Sequence, residues 1–366
     1  MTARVLICCG SGGVGKTTVS AALAIKRAMA GERVAVLTID PARRLADSLS
    51  IGEIGNTARE VPLQGAAPGG RLDAMMLDAK ATFDGLIRRI SPSPESAERV
   101  LRNRYYQFAS EKLGGSHEYM AMQKLLDLWE TGPYDTIVLD TPPTRHALDF
   151  LAAPQRMAGL FDQGVLRWLV MPASRGGWRA LELGSEAVAK VLQKLMGEAT
   201  IQEIAEFFEA FRDLWDGFRE RSLRVDALLA DPSTRFLLVS SPAPSSRTEA
   251  LFFLGELSER GLPFGGFLVN RVVEPPEHAF AEGDLPSTGP MTPGAREAVR
   301  AALSRAHADR SRRAKAHAGS VRSLRDSGPG NAPCWMIPEQ ARDLHRLEDL
   351  VDLAEFLPAV GARGTD

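Results

Sequence analysis

Cysteine is scarce in this chain: Cys8, Cys9 and Cys334 are the only three among 366 residues. Two of them are adjacent inside an apolar run, and no C-x-x-C pair occurs. That argues against a disulfide framework or a structural zinc site and suits a reducing compartment. An excess of either charge is lacking too. Lys and Arg number 44 against 46 Asp and Glu, a formal net charge of −2. Composition therefore makes no electrostatic case for nucleic acid, and no nucleic-acid partner is expected. No apolar run approaches the roughly 20 residues that cross a bilayer. The N-terminus shows no export-signal pattern, since its first apolar stretch is only Val5–Cys9. The expected location is cytoplasmic, with peripheral contact at a membrane left open.

What the chain has repeatedly is short, unbroken apolar runs: Val5–Cys9, Val34–Ile39, Ala74–Leu77, Thr136–Leu139, Phe236–Val239, Gly266–Val269 and Cys334–Ile337. Runs without polar alternation are what strands buried on both faces look like, which favours a parallel sheet. Helical stretches separate most of them. Thr17–Ala30 reads as a helix closed by Gly31, and Arg247–Arg260 as another closed by Gly261. The pattern predicts an α/β fold, a doubly wound, mostly parallel sheet with an inserted helical subdomain.

Two segments break the alternation. Leu151–Ala230 lacks strand signals. Within it Thr200 and Glu203 form a capping-box pattern, and Ile201, Ile204, Phe208, Phe211, Trp215 and Phe218 make one wide apolar stripe. Arg88–Trp129 is expected to add helices to the same layer. Beyond Glu274 a Pro- and Gly-rich linker leads into an Ala- and Arg-rich helix over Arg296–Arg325. Nine Lys/Arg against three Asp/Glu fall between Met291 and Ser327, and most such runs are solvated helix faces. The expected organisation is an α/β core from residues 1–87, 131–150 and 231–366, with a helical subdomain from 88–130 and 151–230. The linker and basic helix, 274–330, belong to the core.

Gly10-Ser11-Gly12-Gly13-Val14-Gly15-Lys16-Thr17 fits G-x-x-x-x-G-K-[ST] in full. Its glycines let consecutive N–H groups point at phosphate oxygens, and the following helix N-terminus adds its positive dipole end. Lys16, read as an exposed loop cation, brings a charge to the β and γ oxygens, and the Thr17 hydroxyl is a magnesium ligand. A chance glycine-rich turn is the weaker reading, because the motif lies between an apolar strand and a helix. Asp140 ends the run Thr136–Leu139, where an acid supports magnesium through water in this architecture. Asp40 ends the run Val34–Ile39 on the same rim. It is either the carboxylate that orients an attacking water or a plain helix cap.

Together these residues resemble the family of arsenite-pump ATPases and tail-anchored-protein targeting ATPases (the ArsA type), in the dimerising P-loop class that includes MinD and ParA. Gly12-Gly13-Val14-Gly15-Lys16-Thr17-Thr18 is similar to the family's G-G-V-G-K-T-[TS]. Thr38-Ile39-Asp40-Pro41-Ala42 resembles its T-D-P-A switch I. Asp140-Thr141-Pro142-Pro143-Thr144-Arg145-His146 resembles its D-T-A-P-T-G-H switch II. Val269-Asn270 resembles the segment that carries the base-reading asparagine, and Ile337-Pro338-Glu339 the late proline segment beside the base. The resemblance implies ATP and Mg²⁺ as cofactors, with a dimer, of like subunits or with a paralogue, closing around two nucleotides. It further implies Asp40 positioning water, Asp140 supporting the metal, Asn270 selecting adenine, and a protein client or membrane-protein partner coupled through the helical insert.

Three departures stand out. Ser11 occupies the position of the family's cross-dimer lysine, which makes Arg145, and secondarily Arg43, the candidate replacement cation. The family's interfacial C-x-x-C zinc pair is absent. The cysteines are badly placed for the thiol cluster of an arsenite pump. The leading expectation is an ATP-hydrolysing switch; the alternatives are an arsenite-efflux ATPase and a non-hydrolysing module that dimerises on ATP.

Overall fold

The computed structural model describes residues 3–40, 44–49, 51–104, 106, 107, 110, 116–142, 214–278, 292–330, 332–344 and 346–359. Every apolar run singled out above forms a strand: β1 (Arg4–Gly10), β2 (Arg33–Thr38), β4 (Arg71–Met76), β5 (Thr136–Asp140), β6 (Thr234–Ser240), β7 (Phe264–Val272) and β8 (Cys334–Pro338). The sequence pattern missed β3 (Arg59–Val61), a three-residue edge strand antiparallel to β4. With β3 in place the sheet has eight strands in the order β3-β4-β2-β5-β1-β6-β7-β8, and the other neighbours are parallel.

The described helices are α1 (Lys16–Met29), α2 (Arg44–Ser48), α3 (Ala79–Ile90), α4 (Pro94–Arg102), α5 (Ser116–Thr131), α6 (Trp215–Ala230), α7 (Pro244–Glu259), α8 (Pro293–Ser327) and α9 (Leu347–Ala354). They divide between the two faces as side-chain alternation along the strands requires. Leu6, Cys8, Val36 and Leu268 pack with α1, α2 and α9. Val5, Ile7, Cys9, Leu37 and Val269 pack with α3 to α7 and the end of α8. Both faces are covered, which is why the strands read as continuous apolar runs.

Helix α1 ends where the sequence placed its stop, with Gly31 at a φ of 97°. On its outer face the Lys26 ammonium donates to the carbonyls of Ala354 and Leu357, each at 2.8 Å, so a charge on α1 holds the end of α9. Helices α4 and α5, in the segment assigned to the helical subdomain, share one apolar cluster with the sheet through Val100, Tyr119 and Leu125. Helix α6 joins them through Phe218, fully buried and edge-on to Phe83 with ring centroids 6.1 Å apart. Arg221 of α6 donates to Gln123 and to Asp127, each at 2.6 Å, tying α6 to α5. The rest of the expected helical segment, with Thr200, Glu203 and the stripe from Ile201 to Phe211, lies outside the described residues.

Candidate functional site

Parallel register brings the ends of β1, β2 and β5 to one edge of the sheet. Asp140 lies beside Cys8 of β1 on one side and beside Thr38 of β2 on the other. The loop that leaves β1 at Gly10 and enters α1 at Lys16 curls over this edge. Gly10 cannot carry a side chain, because a Cβ there would collide with the Val239 carbonyl of β6. Gly15 turns into the helix at φ 89°, and no side chain caps the amides of the first turn. Those amides are left facing the loop, where an anion is the natural partner.

The Thr17 hydroxyl donates to Asp140 Oδ2 at 2.7 Å, and the Thr38 hydroxyl donates to the same oxygen at 3.0 Å. Asp140 Oδ1 is buried with no hydrogen-bond partner among the described residues. Burial raises the Asp140 pKa from 3.8 to about 6, against the lowering pull of the Thr17 and Thr38 hydrogen bonds and the Lys16 charge. A buried carboxylate with one oxygen unmet, next to a threonine hydroxyl, is a donor set that fits a hard divalent cation.

Lys16 departs from expectation. Its side chain is buried rather than exposed, and its ammonium donates to the Ser11 carbonyl at 2.9 Å. The loop wraps back over its own lysine, a closure that residue spacing does not reveal. Burial pushes the Lys16 pKa down, and Asp140 acts the other way. Ser11 turns inward: its hydroxyl donates to Ser246 at the start of α7 at 3.3 Å, and Ser241 donates to the same hydroxyl at 3.0 Å.

Asp40 stands on the same rim. Its amide donates to the Thr38 hydroxyl at 3.2 Å, and its carboxylate lies 3.5 Å from Arg44 at the start of α2. Asn270, at the end of β7, is nearly buried against the loop: its Nδ2 donates to the Val14 carbonyl at 2.8 Å, and its Oδ1 accepts from the Arg271 amide at 2.9 Å. Pro338 ends β8 opposite Val272. Beside it opens a cavity of about 490 Å³ lined by Val272, Glu274, Arg310, Arg313, Pro338 and Gln340. Gly12, Gly13, Val14 and Thr18 complete the loop and first turn as the motif predicts. Arg145 and Arg43 lie outside the described residues.

Two participants escaped the sequence reading. Thr38 appeared only as a letter of the switch I pattern, which was the available signal that it belongs to the site. Ser246 carried no signal at all. The thiols stand as expected for plain packing: Cys8 and Cys9 point to opposite faces, and burial pushes both up to about 12. Among the described residues no group of three or more His, Cys, Asp or Glu side chains could hold a metal ion, and no helix is long and apolar enough to cross a membrane.

The sequence profile described as Anion-transporting ATPase matches residues 3–282. The chain belongs to the anion-transporting ATPase family. Its relatives include the ATPase GET3 of Malassezia globosa, 26% identical over 76% of this chain and 75% of that protein. The putative arsenical pump-driving ATPase 1 of Aquifex aeolicus is 25% identical over 74% of this chain, which covers 63% of that protein. The ATPase ARSA1 of Chlamydomonas reinhardtii is 29% identical over 73% of this chain, but the match spans only 35% of the algal protein. Family membership makes the chain an ATPase that binds and hydrolyses nucleotide, on the mostly parallel eight-stranded sheet described above.

Proposed function

We propose that this ATPase is a dimeric switch whose subunits close around ATP and reopen after hydrolysis, coupling that cycle to a protein client or a membrane-protein partner. The observation that carries the nucleotide chemistry is the convergence of Thr17 and Thr38 on Asp140 beneath the glycine loop. In the proposal the loop amides and Lys16 hold the phosphates, and Lys16 leaves the Ser11 carbonyl to do so. Thr17 and, through water, Asp140 would hold Mg²⁺, which would supply charge neutralisation for the nucleotide phosphates. Asp40 orients the attacking water. Asn270 and Pro338 border the adenine, and Asn270 exchanges the Val14 carbonyl for the base edge.

The dimer and the client rest on family likeness. Ser11 faces Ser246 and so is not projected outward as a trans-acting group. The replacement cation we propose is Arg145, with Arg43 second. Mixing Arg145→Ala subunits with Lys16→Ala subunits tests it: recovered activity supports supply across the interface, and an Arg145→Ala enzyme with parental turnover ends the idea.

An arsenite-driven role has a relative named for it, but the separated thiols give a soft metalloid no converging ligands. The switch reading is tested by light scattering of the purified chain with magnesium and a slowly hydrolysed ATP analogue. A doubling of mass that reverses with ADP is expected. An unchanged mass would remove the dimer from the proposal. Proteins captured by an Asp40→Asn form, and lost from a Lys16→Ala form, would identify the client.

A further inference from the structure

The edge of the sheet opposite the phosphate loop holds the larger cavity, about 970 Å³, within the range of about 300–1,000 Å³ usual for small-molecule sites. It lies at the starts of the strands, about 20 Å from the loop along β1. Leu23 and Arg27 of α1 line one side of it, and β6 supplies Arg235 and Leu237. Arg235 of β6 lies beside Leu6 of β1, and Gly266 of β7 lies beside Leu237 of β6.

The wall of this cavity is shaped by sequence. Gly266 has a φ of 136°, and a Cβ there would sit 2.5 Å from the Trp335 ring and 2.7 Å from the Pro333 carbonyl. The missing side chain lets the indole lie down over β7, and the register between β6 and β7 shifts at Phe236 and Leu237, just below. Leu6, Leu23, Leu237 and Phe264 add to the apolar lining.

The rim is cationic. Arg4, Arg27 and Arg235 line the cavity against Glu32 and Asp135. Glu32 already accepts from Arg27 at 3.2 Å and from the Thr136 hydroxyl at 2.6 Å, with Arg4 at 3.9 Å. Asp135 is engaged by Arg33, which is outside the lining, at 3.2 Å. Arg235 donates to the main-chain carbonyls of Pro232 and Thr234, and no carboxylate among the described residues pairs with it.

We propose that this cavity is a binding site for a small organic anion with a planar apolar body. The anionic head meets Arg235, and the body lies against Trp335 over Gly266. The site is separate from the nucleotide site, yet it touches α1 at Leu23 and Arg27, on the same helix that begins with Lys16 and Thr17.

The test uses the full chain and the probe 8-anilinonaphthalene-1-sulfonate, titrated by fluorescence and calorimetry. Its neutral counterpart N-phenyl-1-naphthylamine serves as the comparison. Saturable binding of one sulfonate per chain is expected, weakened about tenfold or more by removing either the probe's charge or the Arg235 charge in Arg235→Gln. Arg235→Lys should fall between the two, and Trp335→Ala should also weaken binding. Thermal unfolding and ATP turnover of Arg235→Gln and Arg235→Lys are measured alongside and should match the parent. No saturable component, equal affinity for the neutral probe, or parental affinity in both Arg235 variants would overturn the proposal.

Discussion

The Thr17 hydroxyl reaches the Asp140 carboxylate at 2.7 Å across 123 positions of sequence, and this bond joins the phosphate loop to the end of β5. One oxygen of Asp140 collects both threonine hydroxyls while the other is buried unmet. Burial therefore leaves this carboxylate poorly compensated, which a cation bound beside it would relieve.

Asp140→Asn should separate stability from metal use. Replacing a buried, poorly compensated carboxylate by a neutral amide removes that desolvation cost, so at pH 8 the nucleotide-free variant should unfold at the parent's temperature or above it. The same variant should lose the extra thermal stabilisation that magnesium and ATP together give the parent. A variant still stabilised like the parent by magnesium and ATP would contradict the assignment of Asp140.

Lys16→Ala should abolish ATP turnover without unfolding the chain. The ammonium now bonds the Ser11 carbonyl, so its loss leaves one buried loop acceptor unpaired and should cost about 1–3 kcal/mol. Phosphate release checks the first half and thermal unfolding the second. Parental hydrolysis would remove the lysine from the mechanism.

Asp40→Asn should keep ATP binding and lower turnover by about 10²–10⁴-fold, the usual loss for one water-orienting group. Calorimetric binding set against steady-state phosphate release makes the comparison. If turnover stays within a factor of a few, the carboxylate serves the start of α2 and its neighbour Arg44 instead.

Arsenite or antimonite should leave the ATPase rate unchanged. Cys8 and Cys9 point to opposite faces of β1, and Cys334 lies on β8 with β6 and β7 in between. Stimulation that vanishes in Cys334→Ser would show that the thiols meet after all.

Thermal stability should fall in mild acid partly through His317. Its Nδ1 accepts from the Val273 amide at 3.0 Å, which requires the neutral ring, and burial followed by the Arg313 charge lowers its pKa below 6.5. The unfolded chain therefore takes up this proton first as pH falls. The stability tied to His317 is present above pH 6.5 and is lost as pH drops through the lower folded value. Melting curves from pH 8 to 5 should show a smaller decline for His317→Gln than for the parent. An identical decline would dismiss the histidine.

Much of the sheet was legible because its strands are buried on both faces, and burial writes itself as unbroken Val, Leu and Ile. Strand β3 was not, since Arg59-Glu60-Val61 sits at an edge where one apolar side chain is enough. The loop motif located Gly10 to Thr17, and the acids at strand ends located Asp40 and Asp140. Spacing could not show that Lys16 folds under its own loop, which is a matter of how the loop curls, or that Asn270 holds Val14, which depends on where distant backbone passes. Ser246 reaches Ser11 for the same reason, through the packing of α7 beside β1.

The hold of Lys26 on the end of α9 bears on how the chain is made. Its partner carbonyl at Ala354 lies 328 positions downstream. During synthesis α1 therefore emerges long before the helix that covers its outer side, and the Val19–Ala28 surface it shares with Leu350 and Leu353 must wait uncovered. Long-range closures of this kind slow folding and leave apolar surface open to other chains. A nascent chain stalled before residue 347 would still carry the phosphate-loop helix with one flank bare, a natural moment for a chaperone to engage it.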